Sequence, residues 1–133
     1  MIIPHDDKVH RGGEDAAFAN DTILVVADGV GGWALKGINP GLFSETLVQT
    51  VVEFHERDGH KKTVDLLSES CRHAGAQFQG TATVAAVRLI EDLKIEASNL
   101  GDSGYALFHV NPDDTLEMYF RSLSQQKTHN FPY

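Results

Sequence analysis

The chain has a single cysteine, Cys71, so no internal disulfide framework can form. No apolar run approaches the roughly 20 residues that a membrane-spanning helix requires. The opening stretch, Met1-Ile2-Ile3-Pro4-His5-Asp6-Asp7, shows neither an apolar signal core nor an Arg-rich amphipathic pattern. Basic residues are scarce: 11 Lys and Arg stand against 19 Asp and Glu, a formal charge of −8. Such a surface repels phosphate backbones and anionic lipid, so neither nucleic acid nor membrane insertion is expected. The surplus of carboxylates suits hard cations, although most acidic residues on a soluble protein only solvate its surface.

What remains is ordinary for a globular protein, with 41% hydrophobic and 23% charged residues. Residues 1–133 read as one domain, without repeats or long linkers. Ala16 to Ala19 and Thr22 to Ala27 flank Asn20-Asp21, a hairpin turn. Ile23-Leu24-Val25-Val26-Ala27 is unbroken and reads as a strand buried on both faces. It runs into Asp28-Gly29-Val30-Gly31-Gly32, a turn with little side chain to obstruct a ligand.

Asn39-Pro40 has the form of a helix start, with Asn as cap and Pro in the first turn. Phe43, Leu47, Val51 and Phe54 follow at helical spacing, with Gly59 as the stop. A second helix from Thr63 would bury Val64, Leu67, Cys71 and Ala74. From Gly80 onward the pattern turns to strands: Thr81 to Ile90, Lys94 to Leu100, Gly104 to Val110 and Thr115 to Phe120, expected as a four-strand meander. Its turns fall at Glu91-Asp92, Gly101-Asp102-Ser103 and Asn111-Pro112-Asp113-Asp114. The fold class is therefore α+β, with helices covering a sheet.

The hairpin carries the chemistry. Glu14 and Asp15 precede its first strand and Asp28 follows its second, at similar distances from the turn. Antiparallel pairing brings these carboxylates to one end of the sheet, where their repulsion calls for a cation or a proton. Oxygen-only ligands favour magnesium, manganese or calcium over zinc. The plainer reading is that Asp15 and Asp28 simply begin and end strands, and spacing alone leaves both open. Other chemistries lack their residues. A cysteine-phosphatase loop needs an arginine close after the thiolate, but six residues past Cys71 stands Gln77. Cys71 reads as helix core. His55 and His60 are one residue too far apart for a zinc-protease helix and read as exposed. Gly29-Val30-Gly31-Gly32 lacks the Lys-Ser/Thr ending of a P-loop. Trp33 could line a groove, though packing is the commoner role, and Asp102 alone would count as a turn residue.

Four motifs occur together in order: Gly13-Glu14-Asp15-Ala16, Val26-Ala27-Asp28-Gly29-Val30-Gly31-Gly32-Trp33, Gly80-Thr81-Ala82-Thr83, and Asn99-Leu100-Gly101-Asp102-Ser103-Gly104. From about His5 to Gln126 the chain resembles the N-terminal portion of metal-dependent serine/threonine phosphatases of type 2C. The Asp28-to-Trp33 stretch, with Phe43-Ser44, is most similar to the short branch containing mitochondrial and plastid members, and that resemblance is the source of an organellar expectation over a cytoplasmic one. It implies a β-sandwich flanked by helices, a phosphoprotein substrate, and two Mg²⁺ or Mn²⁺ ions. By that resemblance Asp28 would bridge the ions and the Gly29 carbonyl would help ligate one. Glu14 and Asp15 would bind directly or through water, and Asp102 would serve a further, weaker position. Two departures accompany it. Many relatives place a phosphate-binding arginine where His10 stands, with Arg11 one place away. The later Asp-Gly-x-x-Asp and Gly-x-x-Asp-Asn motifs have no counterpart, and Asn130-Phe131-Pro132-Tyr133 resembles the segment leading into them. The chain is thus expected to be incomplete or inactive by itself. A non-catalytic relative that binds or titrates a protein partner is the alternative.

Overall fold

The computed structural model describes residues 2–128 and 131–132, with the backbone alone for Arg11 and Phe131. Four antiparallel strands form the main sheet in the order β1 (Ala16–Ala19), β2 (Ile23–Gly29), β3 (Ala82–Ile90) and β4 (Lys94–Leu100). Between β2 and β3 the chain forms two helices, α1 (Pro40–Arg57) and α2 (Thr63–Gln77), which pack on each other and on one face of the sheet. Two separate ribbons follow, β5 (Ala106–Val110) with β6 (Leu116–Arg121) and β7 (Gln126–Thr128) with β8 (Phe131–Pro132).

The expected punctuation fixes the first hairpin and the first helix. Asn20 Oδ1 accepts from the backbone N–H groups of Thr22 and Ile23, each at 2.9 Å, and closes the turn. Asn39 Oδ1 caps α1 through Gly41 N at 3.0 Å, with Pro40 behind it. The helix ends at Arg57, two residues short of Gly59. Leu47, Val48 and Val51 of α1 meet Ile23, Val25 and Ala27 of β2 and Val84 and Ala86 of β3 in the core, with Phe43 and Ala74 beside them.

Four expectations are corrected. The run Ile23–Ala27 is buried on one face only, since Leu24 and Val26 remain 52% and 45% exposed. They share the outer face with Val87 and Ala85, their register partners, because both helices lie on the other side. In α2 the buried stripe is Thr63, Leu66, Leu67, Ser70 and Ala74, and Val64 is exposed. Thr63 takes the inward position because its hydroxyl and backbone N–H both donate to Glu96. The meander does not continue past β4, because Gly101 at φ +83° turns the chain off the sheet and β5 pairs only with β6.

His55, expected exposed, is half-buried in a polar network at the end of the sheet remote from Asp28. Arg88 is buried at its centre. Its guanidinium donates to Thr63 Oγ1 at 3.0 Å, Glu96 Oε2 at 2.8 Å and the Lys61 carbonyl at 2.6 Å, and its Nη1 meets His55 Nδ1 at 3.3 Å. His55 Nε2 reaches Thr22 Oγ1 at 3.2 Å. The Thr63 hydroxyl, then Arg88, hold the Glu96 carboxyl below its ordinary value. Burial, then the Arg88 charge, push the His55 imidazole down.

Arg88→Ala should lower unfolding free energy by about 3 kcal/mol in urea titration, because it strands buried acceptors around the vacated site. Both depressed groups bind protons more tightly in the unfolded chain, so their stabilisation is present above the unfolded values of 6.5 for His55 and 4.5 for Glu96. It is lost as pH falls below them, and His55→Gln should remove the upper part of that decline.

Candidate metal centre

The register of the hairpin decides which carboxylates meet. Ala16 pairs with Ala27, so Asp15 and Asp28 lie across from each other one step beyond the ladder. Their carboxyl groups are close enough to hydrogen-bond. Although both residues remain exposed, the protein surrounding the Asp28 carboxyl and then the Asp15 charge push it above its ordinary value, with Asp102 adding to the rise and Lys8 opposing it. Two acids this close share a proton or need a cation.

Asp28 and Asp102 line one cleft of about 580 Å³ with Gly29, Gly31, Thr83 and Gly101. Asp102 stands on the turn after β4 and accepts from Gln126 Nε2 at 3.0 Å. Glu14 is buried and takes another direction. Its carboxylate lies against Gly31 and pairs with Lys8. Gly29 ends β2 opposite Ala82, with Val30 N bonded to the Thr81 carbonyl at 3.0 Å. Trp33 packs at the rim, donating to Thr81 Oγ1 at 3.0 Å with Lys36 4.5 Å above its ring.

The five residues singled out in the sequence therefore share one pole without forming one ligand shell. Asp15 and Asp28 meet, Asp102 acts on Asp28 across the cleft, and Glu14 faces the glycine turn. Among the described residues no group of three or more His, Cys, Asp or Glu side chains is gathered to hold a metal ion. The oxygen-only pair Asp15–Asp28 fits part of a hard-cation site, with further ligands required from water or from other chain. Thr83 and Ser103, which help organise this pole, lie in two of the four motifs but are given no role there, whereas Lys8 and Gln126 carry no spacing signal in the sequence. The side chain of Arg11, and Asn130 and Tyr133 of the closing segment, lie outside the described residues.

Close approach explains the glycines. A Cβ at Gly29 would overlap the Glu14 carbonyl and approach Ser44 Oγ to 2.6 Å; one at Gly31 would sit 2.6 Å from Glu14 Oε1; one at Gly32 would meet nothing within 4 Å. Alanine should thus destabilise in the order Gly29, Gly31, Gly32. The first should cost about 3 kcal/mol, since backbone cannot yield as a side chain can, and the last should cost little, as read by thermal unfolding. A raised carboxyl contributes stability at low pH that is lost as pH rises through its folded value. Asp28→Asn should therefore stabilise the metal-free chain at neutral pH, with the gain vanishing below the ordinary value of 3.8.

No family model matches the chain. Curated relatives nevertheless align over nearly all of it. The probable protein phosphatase 2C 80 of Arabidopsis thaliana is 37% identical over 134 residues, 98% of this chain and 31% of that protein. The probable protein phosphatase 2C 55 of the same plant is 39% identical over 136 residues, 98% of this chain and 27% of that protein. Among solved structures, the photosystem II phosphatase PBCP superposes with a TM-score of 0.76 at 32% identity, covering 98% of this chain and 51% of that one. The chain thus spans about a third of the curated relatives it matches. The chain is similar along almost its whole length to one part of protein phosphatases 2C and of the photosystem II phosphatase.

Proposed function

We propose that this protein takes part in metal-dependent hydrolysis of phosphoserine and phosphothreonine in other proteins, and that this chain contributes one side of the metal site. The observation that carries the reading is the enforced contact of Asp15 and Asp28 at the end of the first hairpin, in a chain whose relatives are protein phosphatases. Asp28 would bridge two Mg²⁺ or Mn²⁺ ions, Asp15 would ligate beside it, and the Gly29 carbonyl would complete that edge. Glu14, engaged with Lys8, would act through water, and Asp102 would serve a weaker third position. When bound, such ions supply an activated water and offset charge on the phosphoryl group. The glycine turn keeps the floor of the cleft free of side chains where a phosphate must approach, and Asp28, Asp15 and Asp102 set its charge.

An organellar site of action belongs to the same proposal. It draws on the likeness to short-branch members and on the photosystem II phosphatase. No helix among the described residues is long and apolar enough to cross a membrane.

The test is Mn²⁺-stimulated hydrolysis of an aryl phosphate and of a phosphothreonine peptide, run on this chain beside the full-length gene product. Activity in the longer protein, reduced on the order of 10²-fold or more by Asp28→Asn, is the expected result, the scale lost with one electrostatic group at a reacting centre. An unchanged rate in Asp28→Asn removes the bridging role. Absence of metal-stimulated hydrolysis in the full-length product, together with stable capture of a protein partner, supports the non-catalytic alternative instead.

A further inference from the structure

We infer that the hydroxyl pair of Thr83 and Ser103 is a positioning device that holds the Asp102 turn against the Asp28 end of the sheet. The inference rests on the metal-site reading above and assigns a role to two residues outside its ligand set. Thr83 is the register partner of Asp28 across β2 and β3 and is 6% exposed. Its Oγ1 lies 2.6 Å from Ser103 Oγ, twenty residues later in the chain.

Both ends of the Thr83 side chain are used. The hydroxyl meets Ser103, while the methyl fills the space over Gly101, where a Cβ would come to 2.5 Å from Thr83 Cγ2. Gly101 thus combines a left-handed backbone with a close approach, and the turn is seated directly on Thr83. From the other side Asn99 Nδ2 donates to the Ser103 carbonyl at 3.2 Å and the Leu123 carbonyl at 3.1 Å. Gly101 N donates to Gln125 Oε1 at 3.0 Å, and Gln125 N to the Gly101 carbonyl at 2.8 Å. Gln126 then orients Asp102 itself. The strap formed by residues 122–126 presses the turn down, and Thr83 is the point it is pressed onto. A half-buried hydroxyl pair at this distance is directional, so it fixes where along β3 the turn sits. Sub-ångström placement of ligands by such outer contacts commonly tunes metal affinity.

Threonine allows the two contacts to be separated. Thr83→Val keeps the methyl and shape but loses the hydroxyl; Thr83→Ser keeps the hydroxyl and loses the methyl. Mn²⁺ binding to the full-length gene product, read by the electron paramagnetic resonance of the free ion, reports on placement independently of turnover. Thr83→Val and Ser103→Ala should each weaken the weakest Mn²⁺ site, the one assigned to Asp102, by about 10-fold or more, and the Thr83 and Ser103 comparisons that follow are read at that site. The double variant should be no weaker than either alone, as one shared interaction requires. Thr83→Ser should bind within about twofold of the parent, a rescue that a purely space-filling role would not give. Asp28→Asn serves as the reference. If it binds Mn²⁺ like the parent, the metal-site reading fails and this inference with it. If it loses binding while Thr83→Val keeps it, or if the double variant loses affinity additively, the positioning role alone is overturned.

Discussion

Like charges held within hydrogen-bonding reach raise the free energy of a bare fold, and the hairpin of this chain imposes that contact on Asp15 and Asp28 through backbone pairing. Nothing in the side chains themselves would choose it. The ladder from Ala16 to Ala19 is held by the turn at Asn20 and by the core residues Ile23, Val25 and Ala27, which cannot slip by one position without turning outward. The cost at the acidic end is thus underwritten by apolar burial along the strand. Much of the surrounding pole follows from that constraint: glycines where Glu14 crosses the turn, a lysine over Glu14, and a tethered loop that brings a third carboxylate within electrostatic range.

The opposite end of the sheet solves a different problem. Arg88 occupies a helix-facing position on β3 where its register partner, Ile23, is fully buried. A cation there is tolerable because carbonyls, a threonine and a carboxylate from three separate segments converge on it. The network joins the end of α1, the start of α2 and two strands, so the helix layer is oriented by polar contacts at one end and by aliphatic packing along its middle. β3 therefore carries a structural network at one end and the candidate site at the other.

Local features were legible in the sequence because their causes are local. Asn20 and Asn39 announce a turn and a cap through side chains that bond backbone two residues away. The α1 stripe follows from spacing alone, as does the meeting of Asp15 and Asp28. Illegible features depended on distant partners. A continuous run such as Ile23–Ala27 looks the same whether one face or two is covered. Val64 lost its inward place to Thr63 because Glu96, thirty-three residues later, supplies the acceptor. His55 looked like surface until Arg88 and Thr22 were brought to it by strand pairing. In the candidate site, spacing gathered Glu14 with its neighbour Asp15, yet adjacent residues at a strand entrance point to opposite sides, and Lys8 engages Glu14.

The placement of both helices between β2 and β3 has a kinetic consequence. The hairpin of β1 and β2 can close quickly from neighbouring residues, but Asp28 finds Thr83 only after the long connection carrying α1 and α2 has been drawn back onto the sheet. That ring closure is entropically expensive and topologically remote. The contact of Asp15 with Asp28 needs the hairpin alone, whereas the seat of the Asp102 turn on Thr83 needs that longer closure, so substitutions in the helix interface should delay this side of the pole without touching any residue that forms it.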